Sequence, residues 1–222
     1  MKITANMITK QYNLNNSNKR IFEAISAINF SVNSGELVVI TGRSGSGKST
    51  LLNIMAGLLK PTSGTVLADQ SDIYGFTDKE LSDFRHHHMG IIPQTEAAIY
   101  SLNVEENIKF YISGKEKNIN QKCDDLLEEL GISNLKKAYP TELSGGELHR
   151  MSVARALVRS PEILFADEPT SDLDSENVKI VINLLRKSAD EGAAVLVVTH
   201  ESDFIPYADK HYIMEKGHIS KA

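Results

Sequence analysis

A chain of 222 residues, 41% of them apolar, can bury one substantial core with a small satellite region, and it is short for several domains. A formal charge of -5 argues against general nucleic-acid binding, and the single cysteine, Cys123, excludes an intrachain disulfide. The longest apolar runs, such as residues 193–198, have the length of a buried strand and fall far short of a membrane span; no apolar signal core follows Met1, so the composition fits a cytoplasmic protein.

In chain order, Lys2 to Tyr12 reads as a strand with a polar exit, and Asn13 to Lys19 has loop composition. Ile28, Phe30 and Val32 alternate with polar residues as a half-buried strand does, and residues 33–36, Asn-Ser-Gly-Glu, turn the chain into the apolar run Leu37-Val38-Val39-Ile40. Two antiparallel strands ahead of that run predict a small β layer beside a main parallel sheet. Such a layer can supply an aromatic ring for a nucleotide base. Tyr12 is the candidate, with an ordinary packed tyrosine as the competing reading.

Residues 42–50, Gly-Arg-Ser-Gly-Ser-Gly-Lys-Ser-Thr, follow that strand and precede the helical pattern Leu51-Leu52-Asn53-Ile54-Met55. Strand, glycine turn and helix are the context a phosphate-binding loop requires. Gly42, Gly45 and Gly47 let backbone N–H groups turn inward with those of Ser44, Ser46 and Thr50, and the helix starting near Lys48 adds its dipole. Lys48 can reach the β- and γ-phosphates and the Ser49 hydroxyl can ligate Mg²⁺.

The helix ends near Gly57, residues 61–64 make a turn, and Thr65 to Leu67 is a short strand. Asp78 to Phe84 carries a helical pattern into His86, His87 and His88. Consecutive histidines diverge in a helix or a strand, so a polar helix end feeding the strand 89–92 explains them better than a metal site. Gln94 follows that strand. Val104 to Phe110 and Cys123 to Leu130 are helical, and Cys123, in a charged stretch, reads as a partly exposed thiol. A mainly helical subdomain is predicted over about residues 95–140 of a chain that otherwise forms one unit.

Ser144, Gly145 and Gly146 form a turn before a second helix, which makes either a further anion-binding site or only a capped helix start. The buried run 163–166 ends in Asp167, placed to hold Mg²⁺, and Glu168, placed to orient or deprotonate a water. Residues 193–198 form another strand and lead to His200, which can bond a γ-phosphate. Gln94, Asp167, Glu168 and His200 thus follow strand ends, where ligands of parallel sheets bind. Residues 205–221 complete the chain with a helix turn and a short strand.

With these residues in this order, essentially the whole chain resembles the ATP-binding subunit of ABC transporters: phosphate loop, Gln94, the Leu143 to Glu147 motif, the Asp167-Glu168 pair, the segment 171–174 and His200. The resemblance implies an α/β fold with a P-loop NTPase core, a mostly parallel sheet, a small antiparallel β layer and the helical subdomain. It also implies Mg²⁺-dependent ATP hydrolysis, with Glu168, His200 and Gln94 catalytic, Ser49, Gln94 and Asp167 on Mg²⁺, and Tyr12 stacked on adenine. Two copies are implied to pair head to tail, Ser144, Gly145 and Gly146 closing the partner's ATP and Asp174 probing the opposite site. An integral-membrane permease on a separate chain is the second partner, with the subunit peripheral on the cytoplasmic face of the cell membrane. The chain is most similar to the lipoprotein-release, macrolide-export and cell-division group and to antimicrobial-peptide transporters. Glu147 departs from the commoner glutamine, Ser171-Asp172 from Gly-Asn, and Pro93 from a bulky or amide residue. ABC proteins of DNA repair or translation would need a coiled coil or a duplicated unit, which this chain lacks, and a P-loop kinase would leave the Leu143 motif and His200 unexplained. Transmembrane signalling without cargo stays open as the alternative.

Overall fold

The computed structural model describes residues 1–13, 21–95, 97–110, 112 and 118–222. The predicted loop therefore lies, beyond Asn13, outside the described residues, as do residues 96, 111 and 113–117 of the predicted helical subdomain. In chain order the elements are β1 (Ile3–Asn13), β2 (Ile21–Val32), β3 (Leu37–Thr41), α1 (Lys48–Met55), β4 (Ser63–Ala68), β5 (Ser71–Asp72), α2 (Asp78–His88) and β6 (Met89–Ile92). Then come α3 (Val104–Lys109), α4 (Ile119–Glu129), α5 (Gly145–Leu157), β7 (Ile163–Asp167), α6 (Ser175–Asp190), β8 (Ala194–Thr199), β9 (Lys210–Glu215) and β10 (His218–Lys221).

These strands form two sheets, an antiparallel one of order β2-β1-β4-β5 and a larger one of order β10-β9-β3-β8-β7-β6. In the larger sheet only the edge pair β9/β10 is antiparallel. All five residues of β7 and all six of β8 are buried, as central parallel strands covered on both faces must be. Alternation sorts their side chains into two cores. Leu164, Ala166, Val195 and Val197 pack with α5 and α6, while Ile163, Phe165, Leu196 and Val198 pack with α1 and the antiparallel sheet. The fold is that of a P-loop NTPase with mixed sheets and helical parts.

Several expectations need correction. β2 begins at Ile21, well before the alternation is legible. Ala27 (φ 47°) opposes a β1 that is itself bulged, with Met7 at φ 49°, and each bulge shifts the in-out phase. Ser63 and Gly64 belong to β4 and not to a turn, because Gly64 packs against β1, where a Cβ would stand 2.5 Å from the Met7 carbonyl oxygen. As expected, the three histidines form the polar end of α2 that feeds β6; Thr77 and Glu80 form the capping box at its start. Cys123 is fully buried: with Ile119 and Leu127 it lies on one stripe of α4 that the intervening charges mask, and burial pushes its thiol up. The C-terminal region forms two strands where one short strand was expected.

Between β6 and α5, helix α3 is tied to the segment that enters the Leu143 motif. The Val104 amide donates to the Ala138 carbonyl (3.0 Å) and the Glu105 amide to that of Lys136 (3.1 Å). The Glu105 carboxylate pairs with Lys109, and with Lys137 at 2.6 Å. Lys109 first, then Lys137, pull the Glu105 carboxyl down to about 2 from 4.5. With the folded value below the unfolded one, this stability is complete above the ordinary carboxylate range and lost as pH falls through it. Glu105→Gln is therefore expected to lower the urea midpoint at pH 7, and the gap to the parent should narrow as pH falls below 4.5.

Candidate functional site

The register of the larger sheet aligns the strand ends. Thr41 pairs with Thr199, Val198 with Asp167, and Ala166 with Ile92, so the loops after β3, β8, β7 and β6 leave from one edge. Gly42 to Thr50, His200, Glu168 and Gln94 follow directly from those ends.

The glycine loop is held from outside itself. A Cβ on Gly42 would lie 2.3 Å from the Met214 carbonyl oxygen of β9, and one on Gly47 (φ 109°) would lie 2.6 Å from the Ala24 carbonyl oxygen of β2. The Gly217 amide, in the turn between β9 and β10, donates to the Ser46 carbonyl at 2.9 Å, and the Ser26 amide donates to the Gly217 carbonyl at 3.0 Å. Lys48 begins α1 and is 6% exposed. Its ammonium donates to the Gly42 carbonyl (2.7 Å) and lies 4.0 Å from Glu168 Oε1. The buried Ser46 Oγ has no protein hydrogen-bond partner, a donor left for a ligand inside the loop. This cradle fits a polyphosphate.

Ser49 donates its hydroxyl to Asp167 Oδ1 at 3.0 Å. Burial pushes the Asp167 carboxyl above its ordinary value; the Ser49 hydroxyl pulls against the rise and Glu168 adds to it. Two hard oxygen donors fit Mg²⁺, which takes one or two protein ligands together with phosphate and water. Among the described residues no group of three or more His, Cys, Asp or Glu is arranged to hold a metal alone.

Glu168 is buried in a left-handed conformation (φ 50°), its amide donating to the Val198 carbonyl at 2.9 Å. Its Oε2 accepts from the Thr199 hydroxyl (2.8 Å) and the His200 amide (3.2 Å) and lies 2.9 Å from His200 Nδ1. The imidazole, expected to face a phosphate, here rests on the carboxylate while its side chain stays 63% exposed. A fixed, desolvated carboxylate of this kind can orient a water or accept its proton.

A cavity of 630 Å³ joins residues 43–50 to Tyr12, Phe22, Gln94, Glu168 and His200. Tyr12 and Phe22 are register partners on β1 and β2 and so share a face. Phe22, Thr199 and the turn at Gly217 were missed by sequence reasoning; only the placement of Thr199 next to His200 hinted at a role. A second cavity, of 350 Å³ between α4, α5 and α6, contains none of the predicted site residues.

Ser144, Gly145, Gly146 and Asp174 do not line the 630 Å³ cavity. The glycines lie inside α5 and not in a turn ahead of it, because Ser144 caps the helix. The Glu147 carboxylate accepts from the Ser144 amide and hydroxyl, both at 2.7 Å, so glutamate at this position completes the cap. Asp174 caps α6, accepting from the amides of Glu176 and Asn177 at 3.0 and 2.9 Å.

The family model of the ABC transporter matches residues 25–171. The chain is 38% identical over 194 residues to the ABC transporter ATP-binding protein YtrE of Bacillus subtilis, a match covering 86% of this chain and 84% of that protein. It is 35% identical over 218 residues to the lipoprotein-releasing system ATP-binding protein LolD of Treponema denticola, covering 96% and 95%. The ABC transporter cassette MJ0796, solved as a dimer, superposes with a TM-score of 0.90 at 31% identity over 99% of this chain and 98% of that one. A second dimeric structure of that cassette, in a post-hydrolysis state, holds ADP and Pi.

Gly47→Ala tests the cradle. The added methyl meets the Ala24 carbonyl in a conformation costly for alanine, so the variant should lose about 1–3 kcal/mol in urea unfolding and bind ATP more weakly in a titration.

Proposed function

The chain belongs to the ABC transporter family, as an ATP-binding and ATP-hydrolysing subunit, and from that premise we propose that ATP pairs it with a second copy of itself to drive a membrane permease carried on another polypeptide. One observation carries the proposal. The cavity gathers the phosphate loop, Gln94, Glu168 and His200, yet Ser144, Gly145, Gly146 and Asp174 lie outside it. A two-fold pair lets each α5 start supply its N–H groups to the other copy's nucleotide, giving two equivalent sites from one sequence. The dimeric MJ0796 cassette, similar along its whole length, supports that assembly.

In this reading Lys48 and the amides of residues 42–50 bind the β- and γ-phosphates, and Tyr12 stacks on adenine. Ser49, Asp167 and Gln94 would hold Mg²⁺, which when bound neutralises charge developing on the phosphates. Glu168 orients the attacking water and takes its proton; Thr199 keeps that carboxylate aimed. His200, beside Glu168, reaches toward the γ-phosphate, and Asp174 probes across the seam. Because ATP contacts both copies only in the closed pair, it favours closure, and loss of those contacts after hydrolysis reopens it.

Among the described residues no helix is long and apolar enough to cross a membrane. This supports a partner that supplies the path, with the subunit peripheral on its cytoplasmic face. The region of residues 95–140, which carries exposed Tyr100 and Tyr139, is the surface proposed to meet it. The proposed cargo class is lipoprotein, peptide or drug, moved outward, and similarity to the lipoprotein-releasing system ATP-binding protein of Treponema denticola supports its lipoprotein member.

Glu168→Gln removes the base and keeps the binding groups. Turnover should fall about 100-fold or more, while ATP binding persists and a dimer accumulates by light scattering after size exclusion. Unchanged steady-state hydrolysis without that dimer would refute the assignment.

A further inference from the structure

His149 lies on α5 and is 4% exposed, with its Nε2 2.6 Å from the carbonyl oxygen of Pro169, the residue after Glu168. A carbonyl can only accept, so the proton of this hydrogen bond is on Nε2. One turn earlier on the same helix face, Gly146 abuts the same loop, where a Cβ would stand 3.4 Å from the Asp172 carbonyl oxygen. The start of α5 thus touches the loop 168–173 at two points, and at one of them, His149, the bond comes from a side chain that another residue could replace.

That loop needs outside support. Glu168 (φ 50°) and Asp172 (φ 63°) both adopt left-handed backbone without being glycine or asparagine. Within it the Ser171 amide donates to the Glu168 carbonyl (3.1 Å) and the Leu173 amide to that of Thr170 (3.2 Å). The buried Thr170 hydroxyl donates to Glu201 Oε2 at 2.5 Å. These bonds shape the loop and anchor it toward β8; the bond from His149 anchors it to α5.

We propose that His149 is a positioning residue that ties the helix start offered to one ATP to the loop that aims Glu168 at the other. The inference rests on the trans-site reading given above. In that arrangement α5 is seated by the partner's nucleotide, and the Pro169 carbonyl carries its position one peptide along the chain to the catalytic carboxylate. Without a donor at residue 149 the buried carbonyl is left unpaired and the Glu168 backbone loses its register on α5. Nucleotide affinity resides in the phosphate loop, on the other side of Glu168, and stays.

The test is steady-state hydrolysis by the whole chain carrying His149→Leu, which fills the space without a donor, or His149→Gln, whose amide reaches the position of Nε2. His149→Leu should lower kcat about tenfold or more with KM for ATP changed by no more than about twofold, and His149→Gln should recover most of the loss. A leucine variant with parental kcat overturns the inference, and so does a glutamine variant no better than leucine, which would leave only packing. Should the leucine variant fail to fold, nitrogen-15 histidine spectra of the Glu168→Gln protein decide. An Nε2–H signal of His149 that shifts on ATP-driven dimerisation supports the tie; the other tautomer, or an unmoved signal, overturns it. Absence of any ATP-driven dimer of Glu168→Gln sinks the trans-site reading itself, whereas a normal dimer with parental kcat in His149→Leu sinks this inference alone.

Discussion

Four parallel strands ending in step impose the geometry on which everything else depends. Their hydrogen-bond register sets Thr41 opposite Thr199, Val198 opposite Asp167 and Ala166 opposite Ile92, and that fixes where the phosphate loop, His200, Glu168 and Gln94 leave the sheet. Parallel pairing with both faces buried resists slippage, because a one-residue shift would turn Leu164 and Val197 into the core of Phe165 and Leu196. The chemistry inherits that rigidity. Glu168 is aimed by a backbone bond to Val198 and a hydroxyl bond from Thr199, both at the end of β8.

The site also stores cost. Left-handed backbone at Glu168 and Asp172, a desolvated Asp167 beside Glu168, and the orphaned Ser46 hydroxyl each work against stability, with the backbone positions alone worth about 1–3 kcal/mol apiece. The two apolar cores offset this. A polyphosphate would relieve part of it, since Ser46 gains a partner and Lys48 gains anions in place of its own loop carbonyls. Binding and folding are thereby linked through the same atoms.

Much of this was legible from local pattern. Glycine and lysine spacing after a short apolar run marked the phosphate loop, and the apolar runs 163–166 and 193–198 read as strands, which the structure shows fully buried and paired in parallel. What escaped notice were features with no local record. The bulge at Ala27 concealed the first half of β2, and with it Phe22. Charged neighbours hid the stripe that buries Cys123. The support of the phosphate loop by Met214 and Gly217 joins opposite ends of the chain, and the bond from His149 to Pro169 joins a helix to a loop across the fold; no spacing rule encodes either.

Assembly across a two-fold seam is the central claim, and mixing two disabled subunits tests it most directly. Lys48→Ala leaves the α5 start intact but empties its own phosphate loop, whereas Ser144→Arg keeps the loop and obstructs the seam. If Ser144 serves the partner's ATP, a purified mixed pair contains one fully intact site, and its hydrolysis should exceed that of either variant alone by about tenfold or more. A mixed pair no more active than its components would mean that each site is completed within one chain, and the account would be wrong.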